Sequence, residues 1–221
     1  SGDIRVYRYH EFDADRSTTL PKHCTLYESV LDEGDPEQFS AALKTHDRAF
    51  RRLKKRFLMM QPEELELSRR WLQGDEIHIG DAFDFATDLI RGDTPDEKIY
   101  MRRKRNRRDI AAAVLLDASS STEEQVEGET ILALEKKALY LLAGVLAPIG
   151  DTFGIFSYFS MGRFNNFYMV AKDFDEDWNE QTQGRVAGIE ASSSNRDGCA
   201  IRHTTARLLD RPEKTKLLIL L

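Results

Sequence analysis

The sequence predicts an α/β fold: a doubly wound, mostly parallel sheet over residues 110–221, preceded by an N-terminal arm and a mainly helical extension over residues 1–109. Two observations predict the sheet. An apolar stretch at 110–116 is followed by alternating strand and helix patterns. Residues 217–221 are wholly apolar, as in a strand at the centre of a parallel sheet. Such a strand needs a further element to cover it, so we expect the last strands and helices of the domain to be missing after residue 221.

Composition excludes several classes of protein. The 221 residues carry a net charge of −6, which argues against a general nucleic-acid binder. The longest apolar run, 138–149, is shorter than the roughly 20 residues that span a bilayer. The two cysteines, Cys24 and Cys199, are far apart and fit a reducing compartment. We therefore expect a cytoplasmic protein without membrane insertion.

The first hundred residues are predicted to be mainly helical. Residues 1–35 are polar with scattered aromatic residues and are expected to form an extended arm with little regular structure. A helix is predicted after Asp35-Pro36, because apolar residues recur there on one helical face: Phe39, Leu43, Phe50, Leu53 and Phe57. A second helix is predicted from Pro62 to Arg70, with acidic residues near its start and basic ones near its end. A short strand at 77–79 and a helix at 81–90 follow.

Residues 102–108 contain six basic side chains in seven positions. One interpretation is a surface for an anionic partner, formed by Arg102, Arg103 and Arg105. The other is an edge strand beside the first core strand, whose basic side chains discourage pairing between sheets. No aromatic residue interrupts the run as a platform for stacked bases would. We therefore expect no nucleic-acid partner.

The elements of the second half follow from periodicity. A helix is predicted over 129–146, with leucines on its inner face. Strands are predicted at 153–159 and 167–171, helices at 179–189 and 198–209, and a final strand from residue 216.

The candidate site is the loop that leaves the first core strand, Asp117-Ala118-Ser119-Ser120-Ser121. A hard divalent cation prefers oxygen ligands, and open α/β sheets bind ligands beyond the carboxyl ends of their strands. One carboxylate and two hydroxyls at alternate positions can turn toward one point. The sequence therefore predicts a metal site at Asp117, Ser119 and Ser121.

This pentapeptide resembles the metal-ion-dependent adhesion site of von Willebrand factor A (vWA) domains. Further stretches narrow the resemblance to the CbbO/NorD family, and they cover most of the chain: 71–76, 95–103, 107–109, 172–178 and 195–203. The resemblance implies a sheet of the vWA type.

The resemblance also implies a second site loop, in which the family usually has a threonine. The matching position here is Asn195, whose amide oxygen is a weaker choice. Asp197 either substitutes as a ligand or caps the helix that follows. The implied cation is Mg²⁺, and Mn²⁺ or Ca²⁺ also suits such ligands.

For function, the resemblance implies an accessory subunit with no catalytic residues of its own. Such proteins work with a MoxR-type hexameric AAA+ ATPase to activate a client enzyme, which is Rubisco for CbbO and nitric oxide reductase for NorD. An acidic residue of the client would occupy the free position on the metal. Two alternatives remain open: a chelatase-type subunit of a metal-insertion complex, and a structural interaction module with an inactive site.

Overall fold

The computed structural model describes residues 3–13, 15–37, 51–52, 55–56, 59, 65–105, 109–126 and 128–221. The chain divides into two compact units, one formed by residues 1–59 with 109–221 and the other by residues 60–108. In this division the N-terminal residues group with the second half of the chain.

Eleven strands and four α-helices occur within the described residues. The strands are β1 (Arg5–Asp13), β2 (Thr18–Val30), β3 (Leu65–Trp71), β4 (Glu76–Ile77), β5 (Tyr100–Arg105), β6 (Ile110–Asp117), β7 (Gln125–Val126), β8 (Glu129–Thr130), β9 (Thr152–Ser160), β10 (Asn166–Lys172) and β11 (Thr215–Leu220). The helices are α1 (Ile79–Arg91), α2 (Ile131–Ile149), α3 (Glu180–Ala187) and α4 (Asp197–Leu209).

The main sheet has six strands in the order β1-β2-β10-β9-β6-β11. Strands β9, β6 and β11 run parallel, so their carboxyl ends meet at one edge. Strand β10 is antiparallel to β9 and parallel to β2, while β1 and β2 form an antiparallel hairpin. The sheet is therefore mixed, where the sequence predicted a mostly parallel one.

Strand β6 is buried on both faces because helices cover both sides of the sheet. Ala111, Ala113 and Leu115 pack in one apolar cluster with residues of α4. Val114 and Leu116 pack in a second cluster with residues of α2 and α3. The period of two along a strand explains this division. The α/β layering expected from the sequence is present, over six strands that include two from the N-terminus.

Helix α2 follows the candidate site loop and is fixed at both ends. The Thr130 hydroxyl accepts a hydrogen bond from the Ala133 N–H, and Gly150 ends the helix in the left-handed conformation at φ 79°. The Lys136 ammonium donates to the carbonyl oxygens of Ala187 (2.6 Å) and Ile189 (2.8 Å). This contact joins α2 to the end of α3.

The prediction of an arm with little regular structure over residues 1–35 is wrong. Strands β1 and β2 form an antiparallel hairpin, and β2 pairs with β10 in the main sheet. The reason lies in the alternation along β1, where one face is exposed and the other carries Tyr7 and Tyr9. Both rings pack against His203 of α4.

A buried ionic network fastens this hairpin to α4. The Glu28 carboxylate lies 2.7 Å from His203 Nε2 and accepts a hydrogen bond from Arg207 Nη1 at 2.7 Å. The Tyr9 hydroxyl lies 2.6 Å from His203 Nδ1. Burial opposes ionisation of Glu28, but the hydrogen bond with His203 and the charge of Arg207 hold the pKa of Glu28 below its usual value. Glu28 is therefore a paired buried carboxylate.

The unit of residues 60–108 is built on a three-stranded antiparallel sheet in the order β3-β5-β4. The helix predicted from Pro62 to Arg70 is wrong over residues 65–71, which form β3. Pairing with β5 overrides the charge pattern that suggested a helix. The basic strand β5 is the middle strand of this sheet, so the edge-strand interpretation is also wrong.

Two further expectations concern the helices. Helix α1 confirms the helix predicted at 81–90; the His78 side chain caps its start, and Gly92 ends it at φ 81°. Most of the helix predicted after Asp35-Pro36 lies outside the described residues. Among the residues that the structure describes, no helix combines the length and the apolar character needed to cross a bilayer.

The buried network predicts the cost of removing its cation. Arg207→Met leaves the Glu28 carboxylate buried with less compensation, and it should lower the free energy of unfolding by about 3 kcal/mol in urea denaturation. The pKa of Glu28 is lowered in the folded state, so its ion pair stabilises the protein above the usual carboxylate pKa and is lost as the pH falls. The variant should therefore show a shallower loss of stability between neutral and acidic pH. Adding Glu28→Gln should restore part of the loss; a double variant with the summed loss of both changes would contradict the coupling.

Candidate metal centre

The candidate loop leaves β6 at a fixed position. The Asp117 N–H donates to the carbonyl oxygen of Leu221 at 3.0 Å, and the Ala118 N–H donates to that of Tyr158 at 2.9 Å. These bonds come from the strands on either side of β6. The backbone is therefore held on both flanks where the site begins.

Four of the predicted site residues come together. The Asp117 carboxylate accepts the Ser119 backbone N–H on Oδ1 (2.8 Å) and the Asn195 amide Nδ2 on Oδ2 (2.7 Å). The hydroxyl oxygens of Ser119 and Ser121 lie 2.9 Å apart. Ser119 is buried, Asp117 is half-buried, and Ser121 and Asn195 are exposed. The site therefore has an inner wall and an outer side open to solvent.

Backbone hydrogen bonds fasten the second loop to the first. The Ser120 N–H donates to the Ser193 carbonyl at 3.0 Å, and the Ser192 N–H donates to the Ala118 carbonyl at 2.8 Å. The next residue, Ser194, exchanges two backbone hydrogen bonds with Ser160 at the end of β9. These three serines in a row were not predicted to take part. Their visible signal is a run of small polar residues just before Asn195.

Asp197 is linked to the site loop by a hydrogen bond with Tyr158. Its Oδ1 accepts a hydrogen bond from the Tyr158 hydroxyl at 2.9 Å. Burial, together with the bond to Asp197, raises the pKa of Tyr158 well above its usual value, so the hydroxyl stays protonated and donates. Asp197 is the first residue of α4, and the cap position before it belongs to Arg196. The structure therefore places Asp197 beside the site, and not at the helix cap.

Glu135 on α2, which the sequence did not single out, interacts electrostatically with Asp117. Burial and the nearby charge of Asp117 raise the pKa of the Glu135 carboxyl. Its Oε2 is buried and has no hydrogen-bond partner among the described residues. No motif marks Glu135, because helix α2 brings it to Asp117 from outside the loop. Asp117, Asp197 and Glu135 all contribute to raising the pKa of Tyr158.

The donor set fits a small hard cation. Two adjacent ligands of an octahedral ion with bonds of about 2.1 Å are about 3.0 Å apart, whereas bonds of about 2.4 Å, as for Ca²⁺, require about 3.4 Å. The Ser119 and Ser121 hydroxyl oxygens, at 2.9 Å, match the smaller ion. This distance is also that of an ordinary hydrogen bond, and a hydrogen bond between the two hydroxyls holds them at this spacing. Each Asp117 oxygen accepts one hydrogen bond and retains a lone pair for a cation or its water.

Other candidate ligands are engaged elsewhere. Among the described residues, no group of three or more His, Cys, Asp or Glu side chains is placed to hold a metal ion. The acidic stretch at 173–177 is paired with arginines: Arg207 with Asp173, Arg211 with Asp175 and Arg185 with Glu176. Cys199 is buried in the same apolar cluster as Cys24. A metal site here therefore depends on hydroxyl and amide oxygens beside Asp117.

The predicted partner-binding arginines lie in the other unit. The Arg102 guanidinium is exposed and sits 5.8 Å from the centre of the Trp71 ring. The side chains of Arg103 and Arg105 lie outside the described side chains. Their role in binding a partner stays a prediction.

Comparison with known proteins gives one consistent relationship. No family model matches the chain. The chain is 30% identical over 214 residues to the protein NorD of Brucella melitensis, covering 96% of this chain and 33% of that protein. It is 29% identical to NorD of Stutzerimonas stutzeri over 77% of this chain and 28% of that protein. An uncharacterised protein of Pseudomonas aeruginosa is 30% identical over 82% of this chain and 30% of its own length.

A solved structure, the PilB minor pilin from Streptococcus sanguinis, aligns with 54% of this chain and 31% of its own at a TM-score of 0.42 and 18% identity. That score is too low to support any argument. The chain spans about a third of the length of the curated relatives it matches. The similarity to proteins named NorD, at 30% identity over most of this chain, supports a NorD-like family for it.

Proposed function

We propose that this chain is the vWA-type, metal-dependent recognition part of a NorD-like accessory protein for activation of nitric oxide reductase. The observation that carries the proposal is the convergence of Asp117, Ser119, Ser121 and Asn195 at the edge where parallel strands end. The strand order β10-β9-β6-β11, with helices on both faces, supports a vWA-type sheet. The similarity to proteins named NorD supports nitric oxide reductase as the client enzyme.

The ligands define what such a site does. Ser119 and Ser121 supply neutral oxygens, and Asp117 supplies a negative charge directly or through water. When bound, Mg²⁺ would keep residual positive charge and an open position for a partner's carboxylate. For Asn195 to ligate, its amide must rotate so that the oxygen, instead of the NH₂ group, faces the centre. The site recognises a partner, and the force for remodelling comes from a MoxR-type AAA+ ATPase.

Glu135 adds to this arrangement from α2. Its carboxylate strengthens the negative field at Asp117, which favours a cation and destabilises the protein when no cation compensates it. One side chain therefore has opposite effects on folding and on metal binding.

The first prediction from this proposed function concerns the metal itself. Millimolar Mg²⁺ should raise the melting temperature of the protein, because a ligand of the folded state stabilises it by mass action. Ser119→Ala should remove most of this shift. Ser120→Ala is the matched control, since its side chain is exposed and its backbone bond to Ser193 is retained. An equal Mg²⁺ shift in the Ser119 and Ser120 variants would exclude the hydroxyl as a ligand.

The second prediction separates the two effects of Glu135. Glu135→Gln should raise the free energy of unfolding in EDTA by less than about 1 kcal/mol, since it removes a half-buried like charge that solvent partly screens. The same change should weaken Mg²⁺ binding several-fold in isothermal titration calorimetry. The control is Glu123→Gln, which removes an exposed carboxylate from the turn after the site loop. It should change neither the free energy of unfolding nor the affinity for Mg²⁺. Tighter Mg²⁺ binding by the Glu135 variant would contradict the proposal that the charge of Glu135 favours a cation at Asp117.

The third prediction concerns the client. In a reaction containing the full-length protein, a MoxR-type ATPase and inactive nitric oxide reductase, Asp117→Ala should abolish activation of the reductase. The basal ATP turnover of the ATPase should stay unchanged, because Asp117 serves client recognition. Full activation of the reductase by the Asp117 variant would show that a metal at this site is not needed for activation.

A further inference from the structure

The unit of residues 60–108 contains a basic cavity of about 620 Å³ that the metal centre does not use. Two segments line it, β3 with the turn after it, and the loop before β5 with the start of that strand: Ser68, Arg69, Arg70, Trp71, Leu72, Gln73, Lys98 and Arg102. Four of these eight side chains are cationic and none is acidic. Its volume lies within the range of specific ligand sites.

Among the residues that the structure describes, three of the four cations have no ion-pair partner. Arg69 is paired with Asp81 at 3.1 Å. No described acidic side chain forms an ion pair with Arg70, Lys98 or Arg102, although the unit contains several carboxylates. The cavity therefore keeps a net positive charge that attracts an anionic ligand.

The local backbone of β3 is distorted where the cavity forms. The pairing of β3 with β5 shifts register between Ser68 and Trp71. Within that irregularity, Arg70 adopts the left-handed conformation at φ 65°, which costs energy for a residue with a side chain. Bulges of this kind re-aim side chains next to functional sites. Here the distortion coincides with the stretch that supplies most of the lining.

The cavity also has an apolar part. Trp71 is 39% exposed and Leu72 is 59% exposed. The Arg102 guanidinium lies 5.8 Å from the centre of the Trp71 ring, close enough to fix the indole by a cation–π contact. A small inorganic anion would leave these two side chains uncovered. Arginine and tryptophan are the residues enriched at the energetic centres of protein interfaces.

We propose that this cavity binds an acidic segment of a partner protein, with at least two carboxylates beside a large apolar side chain. The guanidinium groups of Arg70 and Arg102 hold carboxylates by paired N–H donors, Lys98 adds a third charge, and Trp71 with Leu72 covers the apolar residue. The charges sit on side chains spread around the cavity. Phosphate sites instead commonly gather backbone N–H groups of a glycine-rich loop or a helix start, and the lining contains no glycine. An acidic peptide is therefore favoured over a phosphorylated ligand.

The lining residues all belong to the unit of residues 60–108, and the test distinguishes this cavity from the metal centre. The probe is a fluorescein-labelled peptide of about 12 residues, in which Asp and Glu alternate with Leu and Phe, added to the intact chain in low salt. We expect saturable fluorescence anisotropy that is unaffected by EDTA or by Asp117→Ala. Arg70→Gln with Lys98→Gln should weaken binding ~10-fold, corresponding to two lost charged contacts.

The matched control is Arg91→Gln, an exposed basic residue of the same unit outside the cavity. It should bind the peptide as the unchanged protein does, and circular dichroism spectra should show that all variants fold alike. If the double variant fails to fold, Lys98→Gln alone, in the loop before β5, should still weaken binding several-fold. A peptide of Glu alone should bind more weakly, because it leaves Trp71 and Leu72 uncovered.

Three outcomes would overturn the proposal. One is an equal loss in the Arg91 variant, which would indicate unspecific attraction. Another is displacement of the peptide by pyrophosphate at a lower concentration than by unlabelled peptide, which would assign the cavity to a phosphorylated ligand. The third is no saturable binding at all.

Discussion

The geometry of the candidate site depends on the burial of β6. This strand is covered on both faces and paired on both edges, with β9 on one side and β11 on the other. Its backbone pairs with β9 from Ala111 to Asp117 and with β11 from Ile110 to Leu115, so its register is held on both edges. The strand therefore ends with Asp117 at a fixed position on the sheet edge. The backbone hydrogen bonds to Leu221 and Tyr158 hold the chain there. The proposed metal site depends on this fixed position of Asp117 at the end of β6.

The second loop matters because a hydroxyl-based site binds weakly unless its oxygens are already in place. Two backbone hydrogen bonds join the loops, and two more tie Ser194 to β9. Only the Asn195 side chain must turn to place an oxygen ligand. The oxygens of Ser121 and Asn195 are exposed to solvent, whereas Ser119 and Tyr158 form the buried wall. Such a division suits recognition: the inner ligands stay with the protein, and the outer position remains available.

Much of the second half could be predicted from the sequence, since its elements carry strong local patterns. The strands β6, β9, β10 and β11 and the helices α2 and α4 lie within a few residues of their predicted bounds. The hairpin could not be predicted in the same way, because β2 pairs with β10 and the two strands are far apart in sequence. Residues 65–71 were misjudged for a related reason: their charges suit the ends of a helix, but pairing with β5 decides their structure. For the site, the pentapeptide marked Asp117, Ser119 and Ser121. Tyr158 and Glu135 come from separate elements without a motif, so only the tertiary fold identifies them.

We propose that Asp117, Ser119 and Ser121 hold one hard cation at the carboxyl edge of the sheet. The most direct measurement is a crystal structure of the protein grown with Mn²⁺, with anomalous scattering recorded at the manganese edge. We expect one strong peak about 2.2 Å from the hydroxyl oxygens of Ser119 and Ser121. We also expect that the Asn195 amide has turned away from its hydrogen bond to Asp117. A peak elsewhere, or an ordered loop in which the Asn195–Asp117 bond persists with no anomalous signal, would contradict the proposal.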